Sequence, residues 1–433
     1  MYRAMVLLIT LCIMPLLLWA AEPGTDESLY WPQWRGPLGT GAAPDGNPPV
    51  EWSEQHNIRW KTRIPGIGYT TLVIWGDDIY VSTAIPPEGY TPSGRSSIPS
   101  KPVKFVVVAV NRTNGRIQWE RIIREEIPHE GQHETSTWAT GSPITDGQHV
   151  YAFFGSHGLY CITKEGDLVW EKDFGDMLIS SEFGEGTTPT LYKNRLIVNW
   201  DHEGQSFIVT LDAATGEEIW RKNRDEGTTW ATPLVVEDAG RTHVITAATN
   251  RVRSYDLYTG ELLWEDEGLT ANVIPSPVAA NGVVYLISGH RGSALRAVRL
   301  SEAKGNITGT SAVLWSYNQD TPYVPSPLLH DGFLYFLKSN NGILTCVNIT
   351  TGRPVYSNQR LDGIGNIYAS PVGVKDRVYL SGREGITLVI RHGPEFGVLA
   401  TNTLDDNIDA SPVIVGNEIY LRGHNYLYCI SRQ

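Results

Sequence analysis

Cysteine is scarce: the chain has four in 433 residues. No two of them are adjacent, so a vicinal disulfide is excluded. No basic run occurs, and 35 Lys and Arg stand against 47 Asp and Glu, a net charge of −12. That balance argues against a nucleic-acid partner and for a soluble, self-repelling surface. Nucleophile elbow, P-loop, zinc signature and dinucleotide fingerprint are all missing. The one long apolar run, Met5 to Trp19, follows the single charge of Arg3 and precedes Ala20-Ala21. It reads as a signal peptide over residues 1–21, which predicts export to the periplasm or beyond. The rival reading is an uncleaved membrane anchor, the only membrane contact the sequence suggests. A lipoprotein reading of Cys12 is rejected, because Leu11 is too large for that processing site.

What is present is a repeat, counted in two registers. A Ser-Pro or Thr-Pro pair opens a β run at Ser142, Thr188, Thr232, Ser276, Ser326, Ser370 and Ser411, with Thr70-Thr71 as a degenerate first copy. An aromatic residue closes each repeat at Trp60, Trp119, Trp170, Trp220, Trp264, Trp315 and Tyr356, with Ala400 in the remaining place. Both registers give eight units, each with four short β-rich runs separated by turns such as Asn281-Gly282 and Asp331-Gly332. The spacing predicts an all-β, eight-bladed propeller of four-stranded antiparallel blades. The last repeat has three runs before the chain ends, and Asn57 to Ile64 supplies the fourth. The ring is therefore expected to close through an N-terminal strand, which leaves no open sheet edge.

Proline opening the innermost strand fits a position bordering the central channel, where an inward N–H needs no ladder partner. Cys161, Cys346 and Cys429 share one repeat position on third strands, in non-adjacent blades, and read as small buried residues. Residues 22–56 are rich in Pro and carry Trp31, Trp34 and Trp52, which predicts an extended strap docked on the propeller's flank or one end. Residues 57–433 then form a single propeller domain.

The closing aromatic belongs to a longer pattern, clearest in Asp212 to Trp220 and Asp256 to Trp264: Asp-x-x-x-Gly-x-x-x-Trp. Asp can bond the backbone two residues on and Gly can take positive φ, so the segment predicts a tight turn into the fourth strand. Its Trp wedges against a neighbouring blade. This pattern resembles the tryptophan-docking motif of the pyrroloquinoline-quinone (PQQ)-like β-propeller superfamily, over essentially Trp31 to Ile430. That superfamily includes quinoprotein alcohol dehydrogenases and the propeller lipoprotein of the outer-membrane β-barrel assembly machinery. Trp31 to Pro37, Tyr323 to Pro327 and Gly393 to Phe396 look like a group of secreted bacterial PQQ-repeat proteins. The resemblance implies, for the dehydrogenases, a quinone held between a Trp and an adjacent-cysteine disulfide, with Ca²⁺ on acidic and amide side chains. This chain has no such cysteine pair, so no cofactor is expected, and PQQ with Ca²⁺ is the alternative.

In a four-stranded blade, the loops leading into the first strand and the second-to-third turns share one face. That face collects recognition side chains: Trp138, His157, His202, Trp230, Arg251, His290, Arg291, Tyr323, Tyr368, Arg383 and His424. A long insertion in blade 1, about Ile85 to Lys104, adds to it. His157 and His202 are the best-placed pair for a metal, but no third ligand is evident. Trp138 and Trp230 share the context Trp-Ala-Thr, which favours structural roles. The arginines suit carboxylate or phosphate contacts. His129 and His133 have zinc-protease spacing, but Pro128 and Gly131 oppose the helix that motif needs. The reading is a non-catalytic scaffold that binds a protein or cell-envelope component through this face. The alternatives are a PQQ-dependent enzyme and a carbohydrate-binding propeller.

Overall fold

A computed structural model describes residues 29–90 and 97–432. The leader expected over residues 1–21 lies outside them, as does part of the blade 1 insertion. Eight sheets form the ring, six of four strands and two of five. Blade 1 runs Val73–Trp75, Asp78–Ile85, Val103–Asn111 and Ile117–Glu126 from the inside outward. Blade 8 runs Val413–Val415, Glu418–Arg422, Tyr426–Ser431 and then Ile58–Arg63. That last pairing is antiparallel, with Trp60 opposite Cys429 and Arg63 opposite Tyr426, so the N-terminal strand closes the ring. Middle strands are buried on both sides by neighbouring blades and read as continuous apolar runs, as in Val103–Asn111. Outer strands face solvent on alternate residues, as in Ile58–Arg63.

Adjacent blades cohere through the docking tryptophans. The indole N–H of Trp60 donates to Arg112 O (2.8 Å), that of Trp170 to Ala213 O (3.0 Å) and that of Trp220 to Leu257 O (2.8 Å). Each ring thus reaches the tight turn of the following blade. The turn glycine lies beneath it: a Cβ on Gly216 would stand 2.8 Å from the Trp170 ring, and its φ of 72° disfavours any side chain. Trp60 belongs to blade 8 and docks on blade 1, so closure uses the same joint as blades 1, 2, 3 and 5. The cysteine position lies between two aromatics in each sheet. Cys161, for example, is opposite Tyr151 on one side and Trp170 on the other. The three cysteines among the described residues are buried and free, each at this position between two rings.

The Ser-Pro register has a structural role that the sequence did not disclose. The N–H of Thr71 donates to Ser142 Oγ (3.1 Å), that of Ser142 to Thr188 Oγ1 (3.0 Å) and that of Ser276 to Ser326 Oγ (2.9 Å). The same bond recurs from Thr232 to Ser276, Ser326 to Ser370, Ser370 to Ser411 and Ser411 to Thr71. A belt of hydroxyls therefore stitches seven of the eight blade junctions around the channel. In this belt Thr71 takes the serine place of blade 1, which moves the degenerate copy one residue on from Thr70. Ser326→Ala leaves the buried Ser276 N–H without its acceptor and should cost about 1–3 kcal/mol, read as a lower urea midpoint.

The strap crosses the end opposite the second-to-third turns. Tyr30–Trp31 adds an inner strand to blade 1, so that blade's first strand has partners on both sides. Arg35 is buried beneath the channel and donates from Nη2 to the carbonyls of Pro327 (2.9 Å) and Pro371 (3.1 Å). Proline carries no N–H, so the inner edge offers acceptors there, and a donor-only guanidinium matches it. Further on, Ala42 pairs with Gly373 and Gly46 with Gly416. Trp52 then lies stacked on Tyr379, with ring centroids 6.3 Å apart and planes at 18°. In blades 1, 2, 5 and 8 the docking Trp meets the second-strand Tyr at about this distance. Blade 7 has Ala400 in the Trp position, opposite Val389, which itself faces Tyr379. The strap's Trp52 fills the room that Ala400 leaves.

Candidate functional site at the open end of the channel

The channel is covered at one end by the strap, with Trp34 at its floor, and opens at the other. Just above the hydroxyl belt, the residue two places before each belt position lines a cavity of about 130 Å³. These eight are Tyr69, Thr140, Gly186, Trp230, Ile274, Val324, Tyr368 and Asp409. Blades 4 and 8 are diametrically opposed, so Trp230 faces Asp409 across the opening.

Around the rim, turn side chains lie flat on aromatic rings. His290 stacks on Tyr323 (4.3 Å, 26°), and His424 stacks on Tyr69 (4.7 Å, 22°). The Arg383 guanidinium lies 4.3 Å over the Tyr368 ring and forks onto Asp409, with Nε to Oδ1 at 2.9 Å and Nη2 to Oδ2 at 2.7 Å. His424 Nε2 also meets Asp409 Oδ2 at 2.8 Å. Burial would raise the Asp409 carboxyl, but hydrogen bonds from His424 and Arg383 outweigh it and hold the group below its ordinary value. Burial lowers His290, with the Arg291 charge adding to it, so the ring stacked on Tyr323 is neutral near pH 7. Arg291 itself is exposed, has a φ of 53° and forms no salt bridge among the described residues. Arg251 is half-buried, with its N–H on Glu226 Oε1 at 2.9 Å.

The other expected residues serve elsewhere. His157 is buried, stacked on Phe105 and bonded through Nδ1 to Glu126 (2.5 Å). His202 is buried too: its Nδ1 accepts from the Leu178 N–H (3.0 Å) and its Nε2 faces Gln205 O. The structure does not aim this pair at one metal. His129 bonds Met177 O and His133 bonds Thr135, so the zinc-protease spacing brings no common ligand set together. Among the described residues no group of three or more His, Cys, Asp or Glu could hold a metal ion. Trp138 and Trp230 are not equivalent despite their shared context. Trp138 stands four residues before its belt residue Ser142 and Trp230 only two before Thr232, so Trp138 lies off the channel in a side pocket beside Tyr90, while Thr140 takes the channel position.

That side pocket contains a residue the sequence gave no reason to select. Glu185 sits between Gly184 and Gly186, where an acidic residue reads as a solvated turn. Its carboxylate instead accepts from the Ser156 N–H (2.6 Å) and Oγ (2.5 Å). Burial pushes it up to about 7, against those hydrogen bonds. The stability tied to its neutral form is complete below the unfolded value of about 4.3 and is lost as pH rises through about 7. Glu185→Gln should therefore match wild type in acid and melt higher above neutrality, read as melting temperature against pH.

A family model described as outer membrane protein assembly factor BamB (PQQ_2) matches residues 103–357 and 204–433. The chain belongs to this family. Among solved structures, BamB from Moraxella catarrhalis is 13% identical, with a TM-score of 0.57, over 87% of this chain and 97% of that one. A europium-containing methanol dehydrogenase is 9% identical, with a TM-score of 0.65, over 94% and 98%. The quinohemoprotein alcohol dehydrogenase from Comamonas testosteroni is 12% identical, with a TM-score of 0.64, over 93% and 80%. At these identities the likeness is one of fold, shared by an assembly factor and by enzymes. Among curated proteins, none matches the sequence.

Proposed function

We propose that the protein is an exported, non-catalytic scaffold whose open end binds a protein or other component of the cell envelope. The observation that carries this reading is the state of the rim. Asp409 is committed to Arg383 and His424, and His290 is stacked and neutral. Asp409 therefore has its charge taken up by partners and His290 lies against a ring, while rigid aromatic groups and the exposed Arg291 are held in place for contact. The family's description as an outer-membrane assembly factor supports an envelope setting. No helix among the described residues is long and apolar enough to cross a membrane.

The residues at the channel do not fit the quinone and Ca²⁺ of the dehydrogenases. Asp409 is the one carboxylate on the cavity wall and is already paired, and the cysteines are single and buried within third strands. A Ca²⁺ ion needs six to eight oxygens, of which this wall offers too few anionic ones.

Crosslinking full-length protein in its own envelope tests the scaffold reading. Arg291→Ala should lower the yield of adducts, because it removes an exposed fork of donors from the contact face. Arg353→Ala, on an exposed turn at the strap-covered end, should leave the yield unchanged. The opposite pattern would place the contact on the wrong end.

A further inference from the structure

The channel mouth has a chemistry of its own, distinct from that of the rim. Five of its hydroxyls, on Thr71, Ser142, Thr188, Ser370 and Ser411, each accept an N–H from the neighbouring blade. All five line the cavity. A hydroxyl that accepts one bond keeps a proton to donate, so the floor is a belt of O–H donors with unspent hydrogens. Above it stand three aromatic side chains, each fixed by a neighbour. Trp230 donates from Nε1 to Gly184 O (2.7 Å), Tyr368 lies under Arg383, and Tyr69 lies under His424.

Charge decides what such a wall accepts. Asp409, the wall's one ionisable carboxylate, is neutralised by its fork with Arg383 and its bond to His424. A cationic ligand would find that carboxylate taken, and an anionic one would meet no free guanidinium on the wall. Apolar ring faces beside a dense set of hydroxyls instead suit a neutral molecule with one C–H-rich face and several hydroxyls at its edge. A volume of about 130 Å³ is below that of pockets for drug-sized ligands and admits one ring rather than a fused tricycle.

We infer that the open channel mouth is a binding site for a single neutral sugar ring, such as the terminal unit of an envelope glycan. The inference rests on the open end being the contact face, and it names the chemistry recognised there. Trp230 supplies the platform, the hydroxyl belt donates to ring substituents, and Asp409, whose Oδ1 keeps one lone pair beyond the bond from Arg383 Nε, accepts from a sugar hydroxyl opposite Trp230.

The test is tryptophan fluorescence and calorimetry on the full chain, using methyl glucoside and cellobiose as neutral probes. Glucuronate and glucosamine serve as charged counterparts. Saturable binding of a neutral probe is expected, with the charged counterparts about tenfold or more weaker. Trp230→Ala should weaken binding about tenfold and Trp230→Phe only about threefold, since the phenyl ring keeps a platform. If Trp230→Ala does not fold, Tyr368→Ala gives the same reading. No neutral probe binding at millimolar concentration, a charged probe binding more tightly, or indifference to both aromatic substitutions would overturn the inference. Absent sugar binding with envelope adducts intact sinks this inference alone. Sugar binding without adducts sinks the scaffold reading instead.

Discussion

A chain lacking residues 57–63 is expected not to form the ring. Ile58–Arg63 is the outer strand of blade 8, and its removal leaves Tyr426–Ser431 as a bare edge with unpaired backbone groups. The deletion also removes Trp60, whose indole bonds Arg112 O and whose ring covers Gly115 of blade 1. Glu418, buried between Arg59 and Arg112, loses one of its two cationic partners. A propeller held open between blades 8 and 1 exposes both their inner faces. Size-exclusion chromatography should then show aggregate, and near-ultraviolet circular dichroism should lose the fixed aromatic signal. A monomeric, cooperatively melting deletion would show that the other seven joints hold the ring without this one.

The second large effect concerns Trp52. Trp52→Ala should cost about 3–5 kcal/mol, the range for emptying a buried tryptophan site, although the residue belongs to no blade. The partner substitution separates this account from ordinary packing loss. Ala400→Trp in the native background places two indoles in one space and should destabilise by about 1–3 kcal/mol. In the Trp52→Ala background the same change returns an indole to the usual docking position and should recover part of the loss. A double-mutant cycle from denaturant midpoints reads the coupling directly, and additivity would mean that the two positions do not share one cavity.

Much of this architecture was legible because a propeller repeats its chemistry. The Ser-Pro and Trp registers recur at positions equivalent in space, so each copy supports the others and closure follows from one missing strand. The third-strand cysteines were legible for the same reason. Departures from the repeat were harder to read. Ala400 looked like a simple gap, because Trp52, which fills it, is far away in sequence and carries no period linking it to blade 7. The hydroxyl belt was hidden since a Ser before Pro explains itself as a strand opening, and only the ring geometry shows the next blade's N–H arriving at its oxygen.

The candidate site was legible as a face but not as a set of contacts. Antiparallel connectivity alone placed Arg291, His290, Tyr323, Tyr368, Arg383 and His424 at one end. Sequence cannot say which turn side chains fold inward, and His157 and His202 are buried among loop contacts of blades 1 to 3. Two extra residues between Trp138 and its belt hydroxyl separate the fates of Trp138 and Trp230. Glu185 was invisible because nothing local marks a carboxylate between two glycines as buried.

The central claim is that contact occurs at the open end, and site-specific photocrosslinking tests it most directly. A photoreactive side chain is placed at position 291 or at position 353 in the full-length protein, and each variant is irradiated in its native envelope. The account predicts discrete adducts from position 291 and none from position 353. Adducts from position 353 alone would contradict it.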